Sequence, residues 1–397
     1  MNKVKVVQIS TFSYKAAGNI MMNLHRAMMK NGIDSYVVWG RGRKAENDHE
    51  YFMDDSWGVK LHGVYTRITD KTGFASTLST RKLLNWLDEI EPDIIHLHCI
   101  HGYFINISLL FTYIKEKNIK VIWTQHDCWA FTGHCAYFDA CGCEKWKTGC
   151  HDCEQLTTYP ASRLMDNSKW NWETKKELFT GANVTVVAPC EWLSKLVKIS
   201  FLGEYPIRVI YNGIDTNVFK PTKSYFKKKN EIEAKKMILG VASEWTERKG
   251  LRDFIELDEM LDKKEYVIVL VGVSKKQVEN LPKDIIALNR TNNIKELVEI
   301  YSAADVYFNP TYEDNFPTTN LEATACGTPV ITYDTGGSPE SVDLRAVVQK
   351  GNLNRVKNII CSELQIFKPR LRDEMKVESM QNIFNFIVMY MENDPSE

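Results

Sequence analysis

Two apolar patterns alternate along the chain. Val4–Ser10, Ser35–Gly40, Asp93–His98, Lys120–His126, Val184–Ala188 and Ile207–Tyr211 are short, nearly continuous apolar runs, the pattern of strands buried on both faces. Between them, apolar residues recur at helical spacing. Ile20, Leu24 and Met28 share one face, and further helices are predicted over Ser79–Ile90, Ile107–Lys117, Lys169–Phe179 and Trp192–Ile199. The second half repeats the scheme, with strands predicted at Lys236–Ser243, Tyr266–Val273, Ile285–Leu288, Asp305–Pro310 and Val330–Tyr333. Its helices are Leu251–Leu261, one capped by Asn293 that carries Ile294, Leu297, Val298 and Tyr301, and a short one over Asn320–Cys326. Thr318 or Thr319 is expected to cap the last of these, and Gly327 and Pro329 to end it. Alternation of this kind predicts two doubly wound parallel sheets, an α/β fold.

Asn212–Asn230, with Pro221 and the basic tract Lys227–Lys229, is the expected linker, and an amphipathic helix over about Arg372–Met391 closes the chain. The organisation expected is a first domain over 1–215 with a cysteine-rich insertion at 128–160, a second over 216–371 and a terminal helix over 372–397. With 397 residues, 44% of them hydrophobic, the chain can fill two cores. A net charge of −1 argues against nucleic acid as a partner. The amino-terminus lacks the apolar core of a signal peptide, and no run approaches the roughly 20 apolar residues needed to span a bilayer. The location expected is cytoplasmic, at most peripheral at the inner face of a membrane.

Ten cysteines are then expected to be reduced, and six of them fall between Cys128 and Cys153. Cys150 and Cys153 have metal-ligand spacing; Cys135 with Cys141 or Cys143 completes a candidate structural zinc site, weighed against a reduced loop packed by Trp129, Phe131, Tyr137 and Trp146.

Candidate chemistry concentrates in DVYFNPTYEDNFPTTNLEATACGTPVITYDTGGSPESV, from Asp305 to Val342. A strand that ends in a polar loop and a helix start presents N–H groups and a positive dipole end to an anion. Carboxylates set beside such a seat, Asp314 in the loop, Glu322 in the helix and Glu340 after Gly336-Gly337, are suited to hydroxyls. Phosphate and polyol together suggest a nucleotide sugar. Loss of its diphosphate calls for fixed positive charge. The chain contains no D-x-D pair to hold a metal there, whereas Arg248 and Lys249 lie in the loop after the first strand of the second half. A dinucleotide fingerprint at Gly40–Ala45 fails, because a polar run follows it instead of an apolar helix.

In the first half, His126 ends a strand and is followed by Asp127. Of His96 and His98, one is expected to point into a helix layer: His98, nearer the strand end, should line the cleft and His96 should be packed, with His101 free to do either.

The segment D-N-F-P-T-T-N-L-E-A-T-A-C-G-T-P-V from Asp314 resembles the signature of the retaining, family-4 glycosyltransferases of the GT-B fold, in which two glutamates with seven residues between them precede A-x-x-x-G-T-P-V. Here the first acid is Asp314, preceded by Glu313, and Asn315-Phe316-Pro317 replaces the usual G-F-G. Tyr211–Pro221 is similar to the family's interdomain connection, Gly18 to its acceptor-side glycine loop, and the cysteine block to an insertion of colanic-acid-type polysaccharide members. The resemblance implies a metal-independent hexosyltransferase that needs no cofactor and moves a sugar from a nucleoside-diphosphate donor to a glycan or lipid-linked acceptor. It implies catalytic roles for His126 and for Asp314 or Glu313, donor contacts through Arg248, Lys249, Glu322, Glu340 and the helix start at Thr318, Thr319 and Asn320, and an acceptor side at Gly18 and His98. It also implies that the terminal helix crosses back to the first domain. The alternatives are a non-catalytic glycan- or nucleotide-sugar-binding subunit and a nucleotide-sugar epimerase of the same fold.

Overall fold

The computed structural model describes residues 3–366, 369–376 and 385, and the chain divides into two units, the first ending at Tyr211 and the second starting at Asn212. Unit 1 is built on seven parallel strands in the order β3-β2-β1-β4-β5-β6-β7. They are β1 (Lys5–Phe12), β2 (Asp34–Arg41), β3 (Glu50–Phe52), β4 (Ile94–Leu97), β5 (Lys120–Thr124), β6 (Val184–Ala188) and β7 (Ile207–Val209). The helices are α1 (Lys15–Lys30), α2 (Ser56–Thr69), α3 (Thr77–Ile90), α4 (Ile107–Glu116), α5 (Ser168–Phe179) and α6 (Glu191–Ile199). Every residue of β4 and β6 is buried, as the unbroken apolar runs require.

Unit 2 carries six parallel strands in the order β10-β9-β8-β11-β12-β13. They are β8 (Lys236–Val241), β9 (Tyr266–Val271), β10 (Ile286–Leu288), β11 (Val306–Asn309), β12 (Val330–Tyr333) and β13 (Val347–Val348). Its helices are α7 (Phe226–Lys229), α8 (Leu251–Met260), α9 (Lys275–Val278), α10 (Ile294–Ala303), α11 (Thr318–Ala325) and α12 (Leu353–Asn358). Asn293 caps α10 as expected, its side chain accepting from the Glu296 N–H.

Strand order reverses once in each sheet, between β1 and β4 and between β8 and β11. Strands adjacent in a sheet but wound in opposite senses leave their carboxyl-end loops uncovered, and that is where open parallel sheets take ligands. In unit 1 these loops follow Phe12 and Leu97; in unit 2 they follow Val241 and Asn309.

Several expectations need correction. No side chain caps α11: Pro317 holds the cap position, and Thr318 and Thr319 lie inside the helix. His96 and His98 point to the same face with rings 4.2 Å apart, because residues two apart in a strand share a face. The stretch expected as a linker belongs to unit 2: α7 forms within it, Lys227 pairs with Asp305 at 2.6 Å, and Phe219 packs edge-on against Tyr301. Residues 373–375 form a single 3₁₀ turn where the terminal helix was expected to begin, and apart from Lys376 and Asn385 the rest of that expected helix lies outside the described residues. The helix α2 and the three-residue β3 and two-residue β13 were not anticipated.

Candidate active site

In unit 2 the loop after β8 folds into a 3₁₀ turn, Glu247–Lys249, and Gly250 then turns the chain into α8. Gly250 has φ +72°, and a Cβ there would stand 2.3 Å from the Pro310 carbonyl oxygen, so this loop and the one after β11 approach more closely than any other residue allows. The two loops are tied together. The Tyr312 N–H donates to the Arg248 carbonyl at 2.8 Å, and the Arg248 guanidinium donates to the Glu313 carbonyl at 2.5 Å. Lys249 Nζ meets Asp314 Oδ2 at 2.5 Å, with side chains 25% and 16% exposed. Both cations thus face the loop of the two acids, and the Glu313 side chain itself is buried.

Behind this loop stand two buried tyrosines. Tyr301 donates to Glu322 at 2.9 Å. Tyr307 bonds the Thr319 side chain and lies within the fields of Glu322 and Asp314. Loss of water pushes the Glu322 carboxyl up to about 7, against the opposing pull of the Tyr301 hydrogen bond. A carboxyl poised there exchanges between donor and acceptor near neutral pH. Asp253, in the first turn of α8, accepts from Tyr312 at 3.0 Å and from Tyr333 at 2.5 Å, and so braces the loop from beneath.

Asn320 is wholly buried, bridging Asn309 at the end of β11 and Ser341 in the turn after the diglycine, each at 2.9 Å. Its side chain positions α11. Thr318 and Thr319 are half-buried in the first turn. Glu340 lies in the 3₁₀ turn Ser338–Ser341, and its carbonyl accepts from Arg372. A cavity of about 210 Å³ lies at the amino end of β12, among Thr324, Pro329, Val330, Ser341 and Arg372, and so borders the partners of Asn320 and Glu340.

In unit 1 the loop after β1 is so short that α1 begins at Lys15. A Cβ on Gly18 would meet the Phe12 carbonyl oxygen at 2.4 Å, so this glycine admits the helix against the strand end. His98 is buried at 2% exposure and, with His126, lines a small cavity at the strand end. It links His126 to the core. Gln8 donates through Nε2 to Ser35 Oγ at 3.5 Å, which turns its Oε1 towards His98 Nε2 at 3.3 Å. His98 therefore carries its proton on Nε2, and its Nδ1 accepts from His126 Nε2 at 3.0 Å.

Burial lowers His126 to about 4, partly offset by Asp127, and lowers His96 to about 3. Beside them His101 bonds Asp127 through Nε2 at 2.7 Å and Tyr159 through Nδ1 at 3.0 Å. A cavity of about 10 Å³, room for one oxygen atom, lies among Cys99, His101, Gln125, His126 and Asp127. The Gln125 amide nitrogen is buried there, without a hydrogen-bond partner among the described residues. The sequence signal for Gln125 and His101 was their place at strand ends next to His126 and His98.

The four candidate zinc ligands gather in one loop. Cys143, Cys150 and Cys153 accept backbone N–H bonds from Lys145, Gly133 and Gln155, and Cys135 bonds Cys153. Among the described residues, however, the three-ligand group whose donor atoms lie within 4.8 Å of one another is Cys99, His101 and Asp127, and the His101–Asp127 hydrogen bond accounts for much of that closeness.

With this geometry in hand, the Glycosyltransferase Family 4 pattern matches residues 17–218, and that of "Glycosyl transferases group 1" matches residues 222–359. The chain belongs to Glycosyltransferase Family 4. A relative, the putative colanic acid biosynthesis glycosyl transferase WcaC of Escherichia coli, is 30% identical over 220 residues, which cover 50% of this chain and 51% of that protein. The chain thus spans about half the length of that relative. Sucrose-phosphate synthase from Thermosynechococcus elongatus superposes with a TM-score of 0.73 at 15% identity, covering 98% of this chain and 99% of the other. Anabaena Alr3699/HepE, solved in complex with UDP and glucose, gives 0.63 at 13% identity, covering 97% and 100%. The fold of this Family 4 chain is the GT-B architecture of two doubly wound units.

Because His62, His96 and His126 are held neutral by burial, the unfolded chain binds more protons than the folded one between about pH 6.5 and about pH 4. Stability should therefore fall as pH drops through that window, by up to about 1.4 kcal/mol per pH unit for each such histidine. Urea unfolding at a series of pH values checks this. A histidine-resolved NMR titration should also find His126 uncharged at pH 7.

Proposed function

We propose that this chain is a retaining glycosyltransferase that moves a hexosyl group from a nucleoside-diphosphate donor onto a glycan or lipid-linked acceptor in cell-surface polysaccharide synthesis. The observation that carries it is the pairing of Arg248 and Lys249 with the Glu313–Asp314 loop at the strand-order reversal of unit 2. A diphosphate entering there finds two cations already oriented and shielded, and charge growing on the leaving oxygen is met without movement of the protein. In this reading Arg248 and Lys249 take the metal's usual part, so catalysis is metal-independent. Asp314, now held by Lys249, exchanges that partner for a hydroxyl of the transferred sugar as the phosphate binds, with Glu313 behind it. Glu322, poised by Tyr301, accepts from or donates to the ribose hydroxyls, and Glu340 and the backbone of Thr318 and Thr319 complete the seat.

On the acceptor side, His126 faces the incoming hydroxyl or the reacting centre, and Gln125 supplies a donor without a hydrogen-bond partner among the described residues. His98 and Gly18 act as positioning residues. Relatives support this reading: one is described as a colanic acid biosynthesis glycosyl transferase, and a structural neighbour was solved with UDP and glucose. The protein would work in the cytoplasm; among the described residues no helix is long and apolar enough to cross a membrane.

Lys249→Ala and Glu322→Ala should each lower kcat/KM for the donor by about a hundredfold or more while leaving the melting temperature near wild type. Unchanged turnover in either variant sinks the assignment. The donor is found by thermal shift with UDP, GDP and their sugars, since a ligand at a hundred times its Kd adds about 2.7 kcal/mol of stability.

We further propose a structural zinc at Cys135, Cys143, Cys150 and Cys153, supported by their spacing and by the backbone N–H groups directed at three of the sulfurs. Metal analysis of the purified chain should find one zinc per molecule, released by the fourfold Cys→Ser variant. A metal-free but stably folded chain would contradict it.

A further inference from the structure

Helix α2 is folded inside out. An amphipathic surface helix ordinarily turns its apolar stripe to the core. In α2 the residues Trp57, Leu61, Val64, Tyr65 and Ile68, spaced so that they share one face, are exposed, Trp57 at 73% and Leu61 at 67%. The buried face holds His62, Gly63 and Thr66, which are small or polar. That inner face is firmly seated: His62 bonds Ser76 Oγ at 2.8 Å and accepts the Gly73 N–H at 3.1 Å, and Asp55 caps the first turn. The outward stripe is therefore not a consequence of loose packing.

The patch extends beyond the helix. The Arg163 N–H donates to the Arg67 carbonyl and the Asn167 side chain to the Thr69 carbonyl, both at 2.8 Å, so that the segment between them lies at the carboxyl end of α2. It carries Leu164, 74% exposed, and the exposed Met165. Cations border the patch. Lys60 sits over the Trp57 ring at 4.8 Å, Lys71 over the Trp170 ring at 3.8 Å, and Arg67 and Arg163 are exposed. From Ser56 to Thr69 the chain has no Asp or Glu.

We propose that this face docks on the surface of an anionic lipid bilayer, with α2 lying in the interface. Trp57, Leu61, Val64, Tyr65 and Ile68 enter the acyl boundary, while Lys60, Arg67 and Lys71 meet headgroup phosphates. An exposed apolar stripe, interfacial Trp and Tyr, and cations carried on the helix itself are what such a surface selects, with Asp54 and Asp166 confined to the ends of the patch. A second copy of the chain fits less well, because a two-fold contact sets the same patch against itself and would oppose like charges. The basic tract at Lys227–Lys229 is a poorer candidate, since Lys227 is already paired with Asp305.

The docked helix would also adjoin the acceptor half-site. Gly63 backs onto Tyr103, whose ring lies 6.3 Å from that of Tyr159, and the Tyr159 hydroxyl bonds His101 beside Asp127. A lipid-linked acceptor held at the membrane surface would thus arrive next to the groups proposed to receive it. This last step rests on the transferase reading; the docking itself does not.

The test is co-sedimentation of the full chain with vesicles of equal parts phosphatidylglycerol and phosphatidylcholine, and with phosphatidylcholine alone. The bound fraction should be higher by at least about tenfold on the anionic vesicles and fall with added salt. Trp57→Ser/Leu61→Ser and, separately, Lys60→Glu/Arg67→Glu should each cut binding by about tenfold or more. All four side chains are exposed, so both variants should fold, and thermal shift with nucleotide is measured alongside. Its loss would count against the proposed function and not against docking. Absence of vesicle binding, equal binding by wild type and variants, or a wild-type dimer that both variants turn into monomer would overturn the proposal.

Discussion

A pair of opposite charges shared by two loops holds together the strand-end face of unit 2. Lys249 and Asp314 meet at 2.5 Å, largely removed from water, where the strand order reverses. Attraction at this depth is on the order of a few kcal/mol, and desolvation offsets much of it. What the contact secures is placement. With Arg248 bonded to the Glu313 carbonyl, Tyr312 to the Arg248 carbonyl and Gly250 against Pro310, neither loop can shift without the other. Glu322 depends on the same frame, because Tyr301 and Tyr307 stand beneath it as α11 leaves the second loop.

Unit 1 solves a different problem. It buries His96 and His98 in the core behind its strand ends, sets half-buried His126 beside them, and keeps all three neutral, so their nitrogens can be used as directed donors and acceptors. The line from Ser35 through Gln8 and His98 to His126 transmits a choice of tautomer over three hydrogen bonds, without any net charge. A polar chain of this kind in a strand layer is costly unless every member is bonded. Here the conspicuous exceptions, the Gln125 amide and His96 Nδ1, lie beside the groups that the transferase reading assigns to the acceptor.

The strands were legible because parallel strands covered on both faces leave unbroken apolar runs; Val184–Ala188 and Val330–Tyr333 coincide with the observed elements. The elements left out had weak or inverted signals. β3 is only three residues long, and α2 contains Gly58 and Gly63 and shows its apolar stripe to the outside. Spacing of Trp57, Leu61, Val64 and Ile68 would have marked it as a helix, although not which face was buried. Among the candidate site residues, Arg248, Lys249, Asp314 and Glu322 were readable from their positions around one strand–loop–helix unit. Tyr301, Tyr307 and Asp253 were not, since each is carried by an element with an ordinary apolar pattern, and only the tertiary fold brings it under the loop.

The measurement that bears most directly on a diphosphate seat made of side-chain cations is calorimetric titration of UDP and of GDP into the intact chain with excess EDTA present. One of the two should bind with a stoichiometry near one, and adding magnesium or manganese in place of EDTA should leave its affinity within about twofold, with the affinity weakening as salt screens the cations. Binding that appears only when a divalent ion is supplied, or that is absent for both nucleotides, would contradict the account.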